Sequence, residues 1–205
     1  MDRPTAQAPS IAEGRLRPIR TELAELLKLS GPVVISRLGI MAMGLSDAIV
    51  VGRYSATQLG YHALGWAPTS VVVTMAIGLL AGVQVMTARA IGEGRLHDTG
   101  AVLRRGLAYS LWIGLISAGV LALGGPAFLH AIGLEKSLAD GASRVLLVFC
   151  LSLPGYALSV SASFWMEGLS RPGPGAWAMW LATGINLALD LILGPGHFGL
   201  PALGA

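Results

Sequence analysis

The stretch from Leu29 to Arg53 constrains the fold most, because it is long and apolar and yet contains an acid. About 20 helical residues cross the hydrocarbon core of a bilayer, so this stretch can span a membrane as one helix. Asp47 would then lie inside hydrocarbon, at a cost of roughly 2.5–3.5 kcal/mol on insertion scales. An acid retained at that cost usually faces protein or water, which makes Asp47 a candidate functional residue.

The composition supports a membrane protein. The 205 residues are 54% hydrophobic and 12% charged, whereas soluble domains carry about 25% charged residues. The single cysteine, Cys150, cannot form an internal disulfide and is expected to be a small packing residue. Residues 1–25 are polar and have no apolar secretory segment, so we expect a cytoplasmic tail that is disordered to about Arg20. An amphipathic lead-in is expected over 22–28.

The apolar runs after this tail predict an all-α polytopic bundle over residues 26–205. Five membrane spans are expected, at about 29–52, 66–88, 106–129, 145–166 and 175–194. The segments between them, 54–66, 89–105, 130–144 and 167–174, are expected to be loops or connectors, and 195–205 a closing loop. Pro68 is expected in the first turn of the second span.

The loop charges predict the orientation. With the N-terminus inside, ten Lys and Arg residues fall in inner segments and three in outer segments, and basic residues favour the cytoplasmic side. We therefore expect a multi-pass protein of a cell membrane, in particular a bacterial inner membrane, with its N-terminus in the cytoplasm. Topology explains the basic connector at 89–105, so no nucleic-acid partner is expected.

A second acid is predicted at the same depth as Asp47. Spans one and five run in the same direction, and Asp47 and Asp190 lie roughly 7.5 and 6 Å from their outer ends. Asn186 shares a helical face with Asp190. If the two faces meet, the two carboxyls and the amide could hold a proton, or a small hard cation through oxygen. If they do not, each acid is wetted by outer water; the sequence leaves this open.

Other polar positions give weaker signals. Arg37 lies roughly 15 Å from Asp47 along one helix, so it either snorkels inward or lines an inner vestibule. Met43 shares the face of Asp47 and is a candidate cavity-lining residue. His62, His97 and the other two histidines are expected in or beside loops, without metal-ligand spacing. With no nucleotide or nucleophile motif either, we expect no enzyme, no metal site and no cofactor, and an ion gradient as the energy source.

Four blocks of sequence resemble the multidrug and toxic compound extrusion (MATE) transporters: SGPVVISRLGIMAMGLSDAIVVGR, GLLAGVQVMTARAIGEGR, FWMEGLSRPGPGAW and INLALDLILGPGHFGLPALGA. The resemblance covers nearly all of 22–205. It implies an H⁺- or Na⁺-coupled exporter of drugs or organic cations that works by alternating access between two six-helix lobes. It places the cation site of the N-terminal lobe on Asp47, Asn186 and Asp190, and a helix-bending proline on Pro32.

The chain departs from that pattern, because a sixth helix and a second lobe are missing. The resemblance therefore implies an N-terminal fragment of a transporter. Two alternatives stay open: a related lipid-linked oligosaccharide flippase, which would need more basic residues in its cavity than Arg37 alone, and a non-transporting membrane scaffold. A scaffold would not require acids at matching depth.

Overall fold

The structure is a computed structural model and describes residues 19–193. Its helices are α1 (Ile19–Tyr54), α2 (Ala56–Gly92), α3 (Thr99–Ala131), α4 (Lys136–Gly168) and α5 (Gly173–Leu193), with a short 3-10 turn at Leu96–Asp98. All five α-helices are long and apolar enough to cross a membrane, so the predicted helical bundle with five spans is confirmed. Residues 1–18 of the expected tail and the expected closing loop lie outside the described residues.

The helices are longer than the predicted spans, and the first predicted loop is wrong. Residues 56–66 are the start of α2, because Ser55 caps the helix by accepting a hydrogen bond from the Gln58 amide at 3.4 Å. Glycine suits position 65 of this helix because α4 passes close by: a Cβ on Gly65 would lie 3.1 Å from the Ala142 carbonyl oxygen. Pro68 is consequently inside α2 rather than in its first turn.

The connectors are shorter than expected for a related reason. The predicted link at 130–144 is almost entirely helical, since α3 ends at Ala131 and α4 begins at Lys136. A helix of 33 residues such as α3 is about 50 Å long, and the hydrocarbon is about 30 Å thick. Helical ends therefore extend beyond the hydrocarbon, where charged residues are tolerated, and the apolar runs alone underestimate helix length. The lead-in at 22–28 likewise belongs to α1, which begins at Ile19.

Three helices, α2, α3 and α4, form the apolar core. Both clusters of buried apolar side chains draw their members from these helices alone, and Leu80, Leu129 and Leu146 are the largest fully buried side chains in them. Close approach depends on glycine: a Cβ on Gly114 of α3 would lie 2.6 Å from the Pro154 Cα of α4. The other two helices, α1 and α5, lie outside this core.

Polar contacts to backbone join α1 and α5. The Trp180 indole N–H donates to the Ile35 carbonyl at 3.1 Å, and the Thr183 hydroxyl donates to the Gly39 carbonyl at 3.2 Å. Residue numbers rise together along both helices, so α1 and α5 run parallel. This register continues toward the end of α1 at which Asp47 lies.

Candidate functional site

Asp47, Asn186 and Asp190 meet at the shared end of α1 and α5. Both the Asp190 carboxyl and the Asn186 amide lie close enough to the Asp47 carboxyl to interact with it directly. The parallel register explains this, because each step of about one helical turn from Ile35 and Trp180 keeps the two faces opposed. The structure thus brings together the three residues that the sequence could place only at equal depth.

Each of these three side chains has a buried oxygen with no hydrogen-bond partner among residues 19–193. The oxygens are Asp47 Oδ1, Asp190 Oδ2 and Asn186 Oδ1, and each has almost no exposed surface. A buried acceptor without a donor is costly, and such groups in native proteins usually have a partner, a water or an ion. Three of them at one place form a cluster of oxygen acceptors that a proton or a hard cation would satisfy.

No ion pair balances the two carboxyls within residues 19–193: Arg37, Arg89 and Arg95 pair with other acids. One side chain that can carry a positive charge, that of His62, lies within electrostatic range of Asp190. His62 was predicted in a loop, but it belongs to α2, where its ring contacts Phe149 edge-to-face at 5.4 Å. A helix capped at Ser55 would have placed His62 about two turns inside α2.

Arg37 has a partner that the sequence analysis missed. Its guanidinium Nη2 lies 3.9 Å from Glu167 Oε1 in the last turn of α4, a residue that was assigned to a turn. The Arg37 side chain is 50% exposed and that of Glu167 is 14% exposed. The long contact leaves most of the guanidinium donors of Arg37 unengaged by Glu167. Arg37 therefore links α1 to the core helices and does not reach the acid cluster.

The two remaining predicted residues lie on α1. Met43 is half-buried, and its carbonyl accepts a hydrogen bond from the Ser46 hydroxyl at 2.8 Å. Pro32 is inside α1, about 22 Å from Asp47 along the helix axis. Their assigned roles, cavity lining and bending, stay predictions, as does cation binding by the acid cluster.

Comparison with known proteins agrees with this architecture. The MatE family model matches residues 32–192, a region that contains all three residues of the acid cluster. Over its full length the chain is 62% identical to the probable multidrug resistance protein NorM of Caulobacter vibrioides. It is also 35% identical to the probable NorM of Rhodopseudomonas palustris and 32% identical to multidrug resistance protein PmpM of Pseudomonas aeruginosa, over 97% and 96% of the chain.

The chain spans less than half the length of these curated relatives: 44%, 43% and 41% of them in the same order. A solved structure of a MOP superfamily transporter from Pyrococcus furiosus shares the fold, with a TM-score of 0.78 at 21% identity, over 86% of this chain and 39% of that one. The family match, the relatives and the helical bundle agree, and the chain belongs to the MatE family.

Proposed function

We propose that the chain is the cation-binding part of a multidrug efflux antiporter, in which H⁺ or Na⁺ at Asp47, Asn186 and Asp190 drives the export of drugs or organic cations. The observation that carries the proposal is the set of three buried oxygens without hydrogen-bond partners. The multidrug relatives support the substrate class. A transporter also fits the chain better than an enzyme, given these relatives.

The coupling follows from the chemistry of the cluster. When both carboxyls are ionised and no cation is bound between them, they repel each other across a poorly hydrated gap. A shared proton or a cation replaces that repulsion with attraction and draws α1 and α5 together. Because a ligand shifts an equilibrium by its difference in affinity for the two states, loading and release at this cluster would favour different arrangements of α1 and α5.

Alternating access would use the looser half of the bundle. The apolar core comprises α2, α3 and α4, so α1 and α5 can shift without opening a cavity in it. In this scheme Pro32 lets α1 bend as the cluster loads, and Met43 faces the substrate cavity. We place the N-terminus in the cytoplasm of a bacterial cell and the acid cluster toward the outside. We also propose that a second lobe completes the transporter, since the relatives are more than twice as long.

The two alternatives are less well supported. A flippase for an anionic lipid-linked sugar would need more basic residues in its cavity than Arg37 alone, and Arg37 lies 3.9 Å from the acid Glu167, which offsets part of its charge. A scaffold formed by helix packing alone would have no need for two adjacent acids without an ion-pair partner in the described part of the chain. The acid cluster therefore favours the antiporter.

The test is cation binding by the purified chain. Asp47→Asn and Asp190→Asn should each lower Na⁺ or H⁺ binding by at least about tenfold, and the double variant should lose little more, because residues of one network are not additive. Isothermal titration with Na⁺ over a range of pH, together with measured proton uptake, provides the readout. Asp140→Asn is the matched control, since this acid is not one of the three cluster residues and its Oδ1 lies 3.2 Å from His130 Nε2.

Additive losses in the double variant would mean two independent acids and would overturn the site. Transport is tested separately, by drug efflux from cells that express the chain within a two-lobe transporter. There each single variant should abolish cation-driven export while the Asp140→Asn control exports normally. Full export by either acid variant would refute the coupling role.

A further inference from the structure

A groove between α2 and α3 lies away from the acid cluster. Its volume is about 240 Å³, and its lining consists mainly of apolar residues that include Leu79, Met86 and Val102. Its floor is the buried core, to which Val83 belongs. Pockets for whole drug-sized ligands measure about 300–1,000 Å³. The groove is therefore too small for such a ligand, but it can take a segment of a flexible hydrocarbon chain.

One cation lies beside this apolar lining. Arg105 lines the groove and is exposed, and it forms no ion pair with an acid in the part of the chain that the structure describes. Two other arginines at this end, Arg89 and Arg95, are engaged by Glu93. Arg105 therefore offers an uncompensated positive charge at the mouth of an apolar groove.

The position of Arg105 along α3 matches a membrane boundary. About 10 Å of this long helix should extend past each face of the hydrocarbon, and Arg105 lies about 9 Å from the helix start at Thr99. It is also the last Arg, Lys, Asp or Glu before Glu135. A guanidinium at that depth reaches the phosphate level, while Leu79 extends the groove toward the membrane centre.

We propose that this groove binds an anionic phospholipid, with its phosphate on Arg105 and part of one acyl chain along Leu79, Val83 and Met86. Charge complementarity selects the occupant: a cationic drug would be repelled by Arg105, and a free phosphate would leave the apolar lining exposed. Basic pockets between membrane helices on the Arg-rich side bind such headgroups. Tyr109, one turn further along α3, also lines the groove, and its hydroxyl can donate a hydrogen bond. This proposal depends on membrane insertion and is independent of the cation site.

Two pairs of variants test it. Arg105→Gln removes the lining charge, while Arg104→Gln removes its exposed neighbour, which does not line the groove. Gly82→Leu fills the groove, since a Cβ at Gly82 meets nothing within 4 Å; Gly78 is equally open and does not line it, so Gly78→Leu is the control. Native mass spectrometry of the purified chain, in equal phosphatidylglycerol and phosphatidylcholine, counts retained lipids. Circular dichroism checks that each variant folds.

We expect phosphatidylglycerol to be retained preferentially by the wild type and by both controls. Retention should fall at least about fivefold in Arg105→Gln and in Gly82→Leu, and an excess of glycerol 3-phosphate should not displace the lipid. If Gly82→Leu does not fold, the Arg105→Gln and Arg104→Gln pair decides. Equal retention of the two lipids, equal retention by those two variants, or displacement by glycerol 3-phosphate would each overturn the proposal.

Discussion

The two halves of the bundle are joined by different kinds of contact. The core helices α2, α3 and α4 pack through buried leucine, valine and alanine side chains, with glycines where backbones approach. The pair α1 and α5 is joined by the polar contacts of Trp180, Thr183 and the acid cluster, and the Met179 side chain lies beside Gly39. Apart from Gly39, α1 has no buried residue among those whose side chains the structure describes.

This difference suggests a division of roles. Tight packing depends on complementary shapes, so a helix cannot shift there without losing many contacts at once. A hydrogen bond between membrane helices contributes only about 0.6 kcal/mol on average, and its donor can find another acceptor. The acid cluster, which we propose loads and releases an ion, thus lies in the half where rearrangement is least costly.

The largest expected effect comes from a single methyl group in the core. Gly114→Ala puts a Cβ 2.6 Å from the Pro154 Cα, and backbone on both sides prevents relief. Overpacking of this kind costs about 1–3 kcal/mol or more. Thermal unfolding in detergent measures it, and Gly119→Ala on the same helix is the control, because a Cβ there meets nothing within 4 Å.

A glycine-to-alanine substitution at the contact between α1 and α5 tests whether this pair is packed less tightly than the core. Gly39→Ala brings its Cβ to 3.1 Å from the Met179 Cγ, which belongs to a flexible side chain that can move. Its effect on unfolding should be clearly smaller than that of Gly114→Ala. A loss at Gly39 as large as that at Gly114 would show that the two halves are equally tightly packed, contrary to our interpretation.

The next largest effect is expected on amide exchange in α1 and α5. Trp180→Phe removes the donor to the Ile35 carbonyl, and a loss of about 0.6 kcal/mol should speed amide exchange in α1 and α5 by roughly threefold. Thr183→Val should do less, because its single hydroxyl proton is shared between the Gly39 and Met179 carbonyls, at 3.2 and 2.9 Å. Hydrogen exchange read by mass spectrometry separates the helices. Equal acceleration in α2–α4 would contradict the independence of the two halves.

The sequence predicted the bundle well because hydrocarbon imposes a strong constraint. Each span had to be a long apolar helix, and the matching depth of Asp47 and Asp190 followed from helix rise alone. Pairing of the two helices could not be predicted in this way. It depends on contacts such as that of Trp180 with Ile35, between residues 145 positions apart, and no local pattern encodes such a partner.

The errors have a physical origin in polar residues that remain helical. Residues 54–66 look like a loop because they are polar and contain glycine, but Tyr54 ends α1, and the Ser55 cap and the packing of Gly65 against α4 keep residues 56–66 in α2. Because of that error, the sequence analysis did not place His62 on a helix. Likewise, Glu167 looked like part of a turn because Gly168 and Pro172 follow it, and so the partner of Arg37 was missed.

A small coupling is expected where the two halves meet at the opposite end from the acid cluster. Arg37 and Glu167 are 3.9 Å apart and Arg37 is half-exposed, and exposed ion pairs contribute about 0–1 kcal/mol. Double-mutant analysis with Arg37→Gln and Glu167→Gln, by unfolding in detergent, should give a coupling energy in that range. A value of several kcal/mol would mean that a polar contact fixes α1 to the core, which our interpretation excludes.

The smallest effect is expected in the connector, where polar contacts join two helices that the core already holds. Hydrogen bonds from Arg89, at 2.8 Å, and from Arg95 hold the pKa of Glu93 below its usual range. A lowered pKa in the folded state stabilises above the unfolded pKa, and the contribution is lost as the pH falls through the folded value. Because Glu93 is exposed to solvent, Glu93→Gln should leave the midpoint of thermal unfolding at neutral pH unchanged within error. An NMR titration of the Glu93 carboxyl should still show a low midpoint that rises in Arg89→Gln. A marked drop in unfolding temperature for Glu93→Gln would instead mean that the connector helps to hold α2 against α3, and that apolar packing alone does not account for the core.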